Sequence, residues 1–229
     1  MIVIALDPPS SSSAYEWIIE RVAALSDIVQ GFKIGLPAII RLGASKVGKI
    51  FRNYSGLLIA DLKLADIGDI MALSVEILHE HGFNAVIAHS FIGFSQGLDL
   101  LSAKCRELNI KLITVVSMSH SGSTEYIDRH IYEFLGIAQR VKSWGIIAPA
   151  TRLEILRYIR RNLGNDIKIL SPGVGVQGME PGMALCNGAD YEIIGRAITY
   201  SQNFREAAFG IIERQKRKVV ECKKLQWSF

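Results

Sequence analysis

The stretch Leu57-Leu58-Ile59-Ala60-Asp61-Leu62-Lys63-Leu64-Ala65-Asp66-Ile67-Gly68-Asp69 turns from wholly apolar to repeatedly charged in a few residues. Leu57–Ala60 reads as a short buried strand. Side chains two apart on a strand share a face, so Asp61 and Lys63 are expected to point the same way. Asp66 follows where the chain leaves the strand. Ile67 then opens a helical pattern that runs to about His81 and stops at Gly82. The polar strand end is the informative part, because two carboxylates and an ammonium are costly to desolvate unless they pair or serve a reaction. On its own the string is equally an ion-pair cap on a strand, and the rest of the chain decides between the two.

The strand-then-helix unit recurs. Compact apolar runs stand at Ile2–Leu6, Ile28–Ile34, Leu57–Ala60, Ala85–Ala88, Leu112–Val116, Gly145–Ala148, Ile167–Leu170 and Tyr191–Ile194. Their richness in Val, Ile and Leu suits strands covered on both faces. Helical patterns fill the gaps: Ser13 with Glu16 forms a capping box for a helix through Leu25, and Phe94–Leu108, Ser123–Lys142, Thr151–Leu163 and Gln202 onward follow. Pro37–Tyr54, with Gly43 and Gly48, reads as more broken. Eight alternations in 229 residues predict a (β/α)8 TIM barrel, and the first strand ends in Asp7-Pro8-Pro9 where a doubly wound sheet would carry a glycine fingerprint.

A barrel of this kind builds its site at the C-terminal strand ends. Those ends are polar one after another: Asp7, Lys33, Asp61 with Lys63, His89-Ser90, Ser117-Met118-Ser119-His120, Ser171 to Gly178, and Gly195-Arg196. Ser171-Pro172-Gly173-Val174-Gly175-Val176-Gln177-Gly178 follows strand seven, where glycines let backbone N–H groups approach an anion. Arg196, after strand eight, adds a bidentate cation at the start of a helix, so a phosphate site is expected there. Lys33 interrupts a buried strand and, with Asp61, Lys63 and Asp66, makes an alternating charge array. Ser119 suits either a helix cap or a hydrogen bond to a heterocycle. His79 and His81 lie two apart near a helix end and do not share a face, so they are read as solvated, not as metal ligands. His89 is read as a core histidine.

With 49 % hydrophobic residues and no Pro/Gly/Ser-rich linker, residues 1–229 are expected to form a single domain. A basic helical extension is expected from about residue 214, carrying Arg214, Lys216, Arg217, Lys218, Lys223 and Lys224 as a solvated face. That tail has no interleaved aromatic platform, which argues against nucleic-acid binding. Apolar runs are too short for a membrane span, and Met1–Leu6 reads as a strand and not a signal peptide. Cys105, Cys186 and Cys222 fit neither a disulfide framework nor a zinc motif, so a reducing cytoplasm is expected.

Together, Asp7, Phe32-Lys33-Ile34-Gly35, the Asp61/Lys63/Asp66-Ile67 string, Met118-Ser119-His120, Pro172 to Gly178 and Ile194-Gly195-Arg196 closely resemble the orotidine 5′-phosphate decarboxylase family, in particular its archaeal branch. The resemblance spans nearly the whole chain. It implies decarboxylation of orotidine 5′-monophosphate to UMP without metal or cofactor. Lys33, Asp61, Lys63 and Asp66 would form the charged array, with Lys63 protonating C6 of the pyrimidine. Asp66 and Ile67 would come from the other subunit of a homodimer. Asp7 and Lys33 would hold ribose hydroxyls, Ser119 the pyrimidine edge, and Gln177 would bridge base and phosphate. Pro172, Gly173, Val174 and Gly175 would form the closing loop, and Gly195 with Arg196 would grip the phosphate. Ile70 stands where archaeal members often carry Thr, and Ser121 where Pro is common. Metal-dependent sugar-phosphate aldolases and decarboxylases look alike around the same string, but they place an acidic magnesium ligand where this chain has Lys33. A non-catalytic phospho-ligand barrel would leave the four charges without a purpose.

Overall fold

Eight parallel strands close into a barrel in a computed structural model that describes residues 1–226. The strands are β1 Ile2–Leu6, β2 Gly31–Gly35, β3 Leu57–Leu64, β4 Ala85–His89, β5 Lys111–Val115, β6 Gly145–Ile147, β7 Lys168–Pro172 and β8 Tyr191–Ile194. They pair in sequence order, and β8 returns to β1 through Ile2, Val3 and Ile4 against Glu192, Ile193 and Ile194. Each run expected as a strand lies within or against one of these. Residues 227–229 of the expected domain lie outside the described residues.

Alternation along each strand separates two cores. Val3, Ile59, Ile87, Ile113, Val115, Ile147, Leu170 and Ile193 meet inside the barrel. Ile2, Ile4, Leu6, Phe32, Ile34, Leu58 and Ala60 face outward against the helices. Burying each large aliphatic side chain stabilises the fold by about 1.5–3 kcal/mol. The inward parity carries on past the apolar layers: Ala5 is followed by Asp7, Ile59 by Asp61 and Ile193 by Gly195. The strand register places Lys33 beside Ala5 and Ile59, and Asp61 beside Gly35.

The helical layer comprises α1 Ala14–Leu25, α2 Leu36–Ile50, α3 Gly68–Glu80, α4 Asp99–Glu107, α5 Ile131–Arg140, α6 Leu153–Leu163, α7 Met183–Cys186, α8 Arg196–Thr199 and α9 Phe204–Gln226. Ser13 precedes α1 but makes no side-chain cap, so the expected capping box is absent. α2 breaks at Gly43, as expected for that segment. The helix expected over 94–108 begins as a π turn, Phe94–Leu98, with Gln96 in a left-handed conformation. The helix expected over 123–142 is two 3-10 turns followed by α5, because Asp128 draws the preceding loop inward by accepting from both Ser117 and Ser123. No helix among the described residues is long and apolar enough to cross a membrane.

The cysteines depart most from expectation. Cys186 and Cys222 form a disulfide, with Cα atoms 5.9 Å apart, joining α7 to α9; Cys105 is a buried free thiol. The pairing crosses 36 positions of sequence, and it arises because the chain returns α9 beside α7. Glu192 anchors the same seam. Its buried carboxylate accepts from the Gly182 and Ala184 N–H groups and from Gln215 of α9 at 2.9 Å.

Candidate active site

Inward-facing side chains at the C-terminal strand ends enclose a cavity of about 340 Å³. Asp7, Lys33, Asp61, Lys63, Ser119, Pro172, Gly173, Val174, Gln177, Gly195 and Arg196 all line it. Six different strand ends supply these residues. A volume of this size suits a small organic ligand.

Charge on the cavity wall is ordered as a chain of alternating sign. The Lys63 ammonium donates to Asp61 Oδ1 at 2.8 Å, and the Lys33 ammonium meets Asp61 Oδ2 at 2.9 Å. Lys33 also lies 3.7 Å from Asp7 Oδ2. Each Asp61 oxygen thus has its own cation. Burial pushes the Asp61 carboxyl upward, but Lys33 and Lys63 outweigh it and hold the group below its ordinary range. For Lys33, burial acts downward, and Asp61 and Asp7 overcome it to leave the ammonium above its ordinary value. Both groups are therefore charged at neutral pH. Gly35 makes the arrangement possible, since a methyl group there would run into the Asp7 carboxylate.

Lys63 reaches this wall through irregular backbone. Its φ is +46°, left-handed and strained for a lysine, and the β3–β4 ladder shifts register between Ala60 and Leu64. Asp61 and Lys63 do share a face, but a bulge delivers it and not simple alternation. At the end of β4, His89 stacks on Phe91 with ring centroids 4.6 Å apart. Burial and the nearby Lys63 ammonium push its pKa down to about 4, against a smaller opposing effect of Asp61, so the imidazole is neutral.

Opposite the charge chain lies the loop after β7. Gly175 has φ +87°, and a methyl group there would meet Ala197 at 2.7 Å. Its N–H donates to Met179 and its carbonyl accepts from Gly178, closing a tight turn. Gly175 does not line the cavity. Arg196 opens α8, which is only four residues long, so an anion grip rests on the guanidinium and the adjoining backbone more than on a helix dipole. Ser119 is held by a brace in which Ser123 Oγ accepts from the Met118 N–H and donates to Asp128. Arg152 pairs with Asp128 from the next loop.

Asp66 and Ile67 are not at this cavity. Both are exposed, and Asp66 Oδ1 accepts from the Ile67 N–H at 2.7 Å. Within one chain the array accordingly runs Lys63–Asp61–Lys33–Asp7, and Asp66, which the resemblance assigns to the other subunit, is no part of it.

Several lining residues escaped the sequence reading: Ala5, Ile87, Ile147, Ile193, Thr199 and Tyr200. Period-two counting back from Asp7, His89 and Gly195 finds Ala5, Ile87 and Ile193. Helical spacing from Arg196 finds Thr199 and Tyr200, three and four residues on.

Residues 1–211 match the family model described as "Orotidine 5′-phosphate decarboxylase / HUMPS family". The orotidine 5′-phosphate decarboxylase of Aeropyrum pernix is 41 % identical over 215 residues, covering 93 % of this chain and 87 % of that protein. Its counterpart from Pyrococcus furiosus is 40 % identical over 222 residues, covering 94 % and 98 %. Among solved structures, orotidine 5′-monophosphate decarboxylase from Sulfolobus solfataricus superposes with a TM-score of 0.83 at 34 % identity, covering 95 % of this chain and 98 % of that one. The Methanocaldococcus jannaschii enzyme complexed with inhibitor BMP gives 0.81 at 28 % identity, covering 95 % and 96 %. On sequence and fold together, the chain belongs to the orotidine 5′-phosphate decarboxylase / HUMPS family.

Proposed function

We propose that this protein decarboxylates orotidine 5′-monophosphate to UMP and CO2, the last step of pyrimidine nucleotide synthesis, without metal or cofactor. The observation that carries the reading is the Lys63–Asp61–Lys33 chain, with Asp61 and Lys33 buried and Lys63 facing the opening, which shares a cavity with Arg196. Arg196 has no ion pair of its own among the described residues.

The chemistry follows from the charges. Loss of CO2 breaks the C6–carboxylate bond and leaves its electron pair on a ring carbon with no adjacent sink. A preorganised ammonium where that charge develops is the strongest electrostatic aid available. Lys63 fills this role. Asp61 fixes its ammonium, the strained backbone fixes its approach, and its proton passes to C6 to give UMP; the amine then regains a proton from solvent. Asp61 beside the departing carboxylate favours release of neutral CO2. Asp7 and Lys33 hold the ribose hydroxyls, Ser119 the pyrimidine edge, and Gln177 with Pro172, Gly173, Val174 and Gly175 forms the closing loop. Gly195 and Arg196 take the phosphate, whose binding energy drives closure.

The family model also covers HUMPS proteins, so family membership does not by itself choose the reaction. Lys33 does, because a buried ammonium at that position repels a divalent cation. We further propose a homodimer in which Asp66 and Ile67 complete the partner's array. Ile67, Ile70, Leu73 and Ile77 make an exposed apolar stripe along α3, beginning next to Asp66, with Ile67 63 % exposed. We read the chain as one domain whose basic end binds no nucleic acid; Lys218, expected on a solvated face, instead pairs with Glu180 at 3.1 Å and Glu221 at 3.2 Å, with its side chain 23 % exposed. A cytoplasmic location rests on the charged nucleotide substrate, since the disulfide removes the argument from scattered cysteines.

Loss of orotidylate absorbance on adding purified protein, with and without chelator, tests the reaction. Chelator-resistant turnover is the expected result. Chelator-sensitive turnover of a sugar phosphate, with orotidylate untouched, would transfer the chain to the metal-dependent branch.

A further inference from the structure

Arg21 is a buried charge that no step of the proposed reaction uses. It projects from α1 into the seam between α1, α8 and α9, with its side chain only 9 % exposed. The guanidinium carbon sits 3.8 Å from the Trp17 ring centroid and 4.1 Å from that of Phe204, so the group is sandwiched between two aromatic planes. Its Nε donates to the Thr199 carbonyl at 2.8 Å and Nη1 to the Trp17 carbonyl at 2.9 Å. Its ion-pair partner, Glu20 at 3.3 Å, is largely exposed, so that pairing is weak.

The acceptor matters. Thr199 is the last residue of α8, the four-residue helix that begins at Arg196, and its carbonyl is among those a helix end leaves without an internal partner. Thr199 and the next residue, Tyr200, both line the cavity with Arg196. Tyr200 packs edge-on against Trp17 at 6.0 Å, and its hydroxyl donates to the Asp7 carbonyl at a long 3.4 Å. A second tie lies alongside: Arg205 at the start of α9 makes a bidentate pair with Asp27 just past α1, both contacts 2.7 Å. One guanidinium therefore joins the aromatic seam to the far end of the turn whose near end is Arg196. Because α8 has a single turn, any drift at Thr199 is passed to Arg196 with little intervening structure to absorb it.

We propose that Arg21 is a positioning residue for the phosphate end of the site, holding the α8 turn so that Arg196 meets the substrate's phosphate. This rests on the decarboxylase reading for the identity of the substrate. Arg21 contacts no substrate and takes part in no proton transfer. Its effect is selective: it concerns the phosphate end and leaves the Lys63–Asp61–Lys33 wall, on β2 and β3, untouched.

Arg21→Met keeps the stacked stem and removes the fork, and Arg21→Lys keeps the charge. Each is assayed with orotidine 5′-monophosphate and with orotidine, and titrated calorimetrically with UMP and with uridine. For Arg21→Met, kcat/KM for the phosphorylated substrate is expected to fall at least tenfold and UMP affinity to fall in parallel. Values for orotidine and uridine should stay within twofold of wild type, and Arg21→Lys should recover part of the loss. Equal losses for phosphorylated and unphosphorylated ligands, or no loss for either, would overturn the proposal by making Arg21 merely structural. Should Arg21→Met fail to fold, Trp17→Leu, which removes one face of the sandwich, is judged by the same ratio. If wild-type protein leaves orotidylate unchanged, the decarboxylase reading fails, and the UMP and uridine titrations still decide the role of Arg21.

Discussion

Lys63 shows how much chemistry can depend on one backbone conformation. A lysine at φ +46° is held against its own preference by about 1–2 kcal/mol, and what it gains is a fixed contact with Asp61. Lys63→Ala is expected to abolish turnover while UMP affinity changes only a few fold, as seen by calorimetry; near-wild-type activity would remove Lys63 as the acid. Strain gives an independent check. Lys63→Gly should be about 1 kcal/mol more stable than Lys63→Ala in urea titrations, since glycine accepts the left-handed conformation. Asp61 and Lys33 set the pH limits of this wall. Asp61 titrates below its unfolded value, so its contribution is present above about pH 4 and fades as pH falls through the lowered folded value. Lys33 titrates above its unfolded value, so its contribution is complete below about pH 10 and is lost only as pH rises through the raised folded value. His89 acts between these limits in the same sense as Asp61 and opposite to Lys33. Its folded pKa of about 4 lies below the ordinary histidine value, so the unfolded chain binds the proton more readily. Stability should accordingly decline as pH falls from about 6.5 toward 4, and His89→Gln should flatten that slope in denaturation curves at pH 7 and pH 5. A slope unchanged by the substitution would mean that His89 is not the group responsible.

Elements were readable where one short-range pattern sufficed. Eight apolar runs gave eight strands because parallel strands buried on both faces must be apolar throughout, and β1 and β8 match their expected bounds. Patterns failed where a tertiary partner overrides local preference. The bulge at Lys63 has no marker in Asp61-Leu62-Lys63-Leu64, since each of these residues also suits a plain strand. The loop before α5 looked helical because helical periodicity does not register the side-chain bonds from Ser117 and Ser123 to Asp128, nor the pairing of Asp128 with Arg152 from the next loop. The disulfide was missed because Cys186 and Cys222 meet only once α9 lies against α7, and spacing alone never fixes cysteine connectivity. That closure lends itself to measurement. In the chain-entropy account a loop of this length contributes about 3–4 kcal/mol. Cys222→Ser, or full reduction of the native protein, should lower the melting temperature by several degrees while initial decarboxylation rates at 25 °C stay unchanged. An identical melting temperature with and without reductant would show that the bond adds nothing to the fold.

At the scale of the whole molecule, one chain assembles most of the site and leaves two of its expected members outside. Asp7, Lys33, Asp61, Lys63 and Arg196 converge because a barrel gathers all its strand ends at one mouth, which is why their order in the sequence was informative. Asp66 and Ile67 lie instead at the head of an apolar stripe that a lone chain would expose to water. Ile70 continues that stripe, and in the proposed dimer it would be buried between subunits. If two copies pair across α3, each cavity draws Arg196 from one subunit and Asp66 from the other. Asp66→Ala and Arg196→Ala homodimers should then both be inactive, whereas a mixed dimer contains one site in which both residues are intact and one in which both are lost. Random exchange at equal amounts makes half the dimers mixed, so activity should return to about one quarter of the wild-type level for a two-fold assembly. Measuring turnover after co-refolding the two variants, with sedimentation to establish the dimer, checks this directly. No recovery in a mixture that sediments as a dimer would confine Asp66 to its own chain and leave the Lys63–Asp61–Lys33–Asp7 array as the complete one.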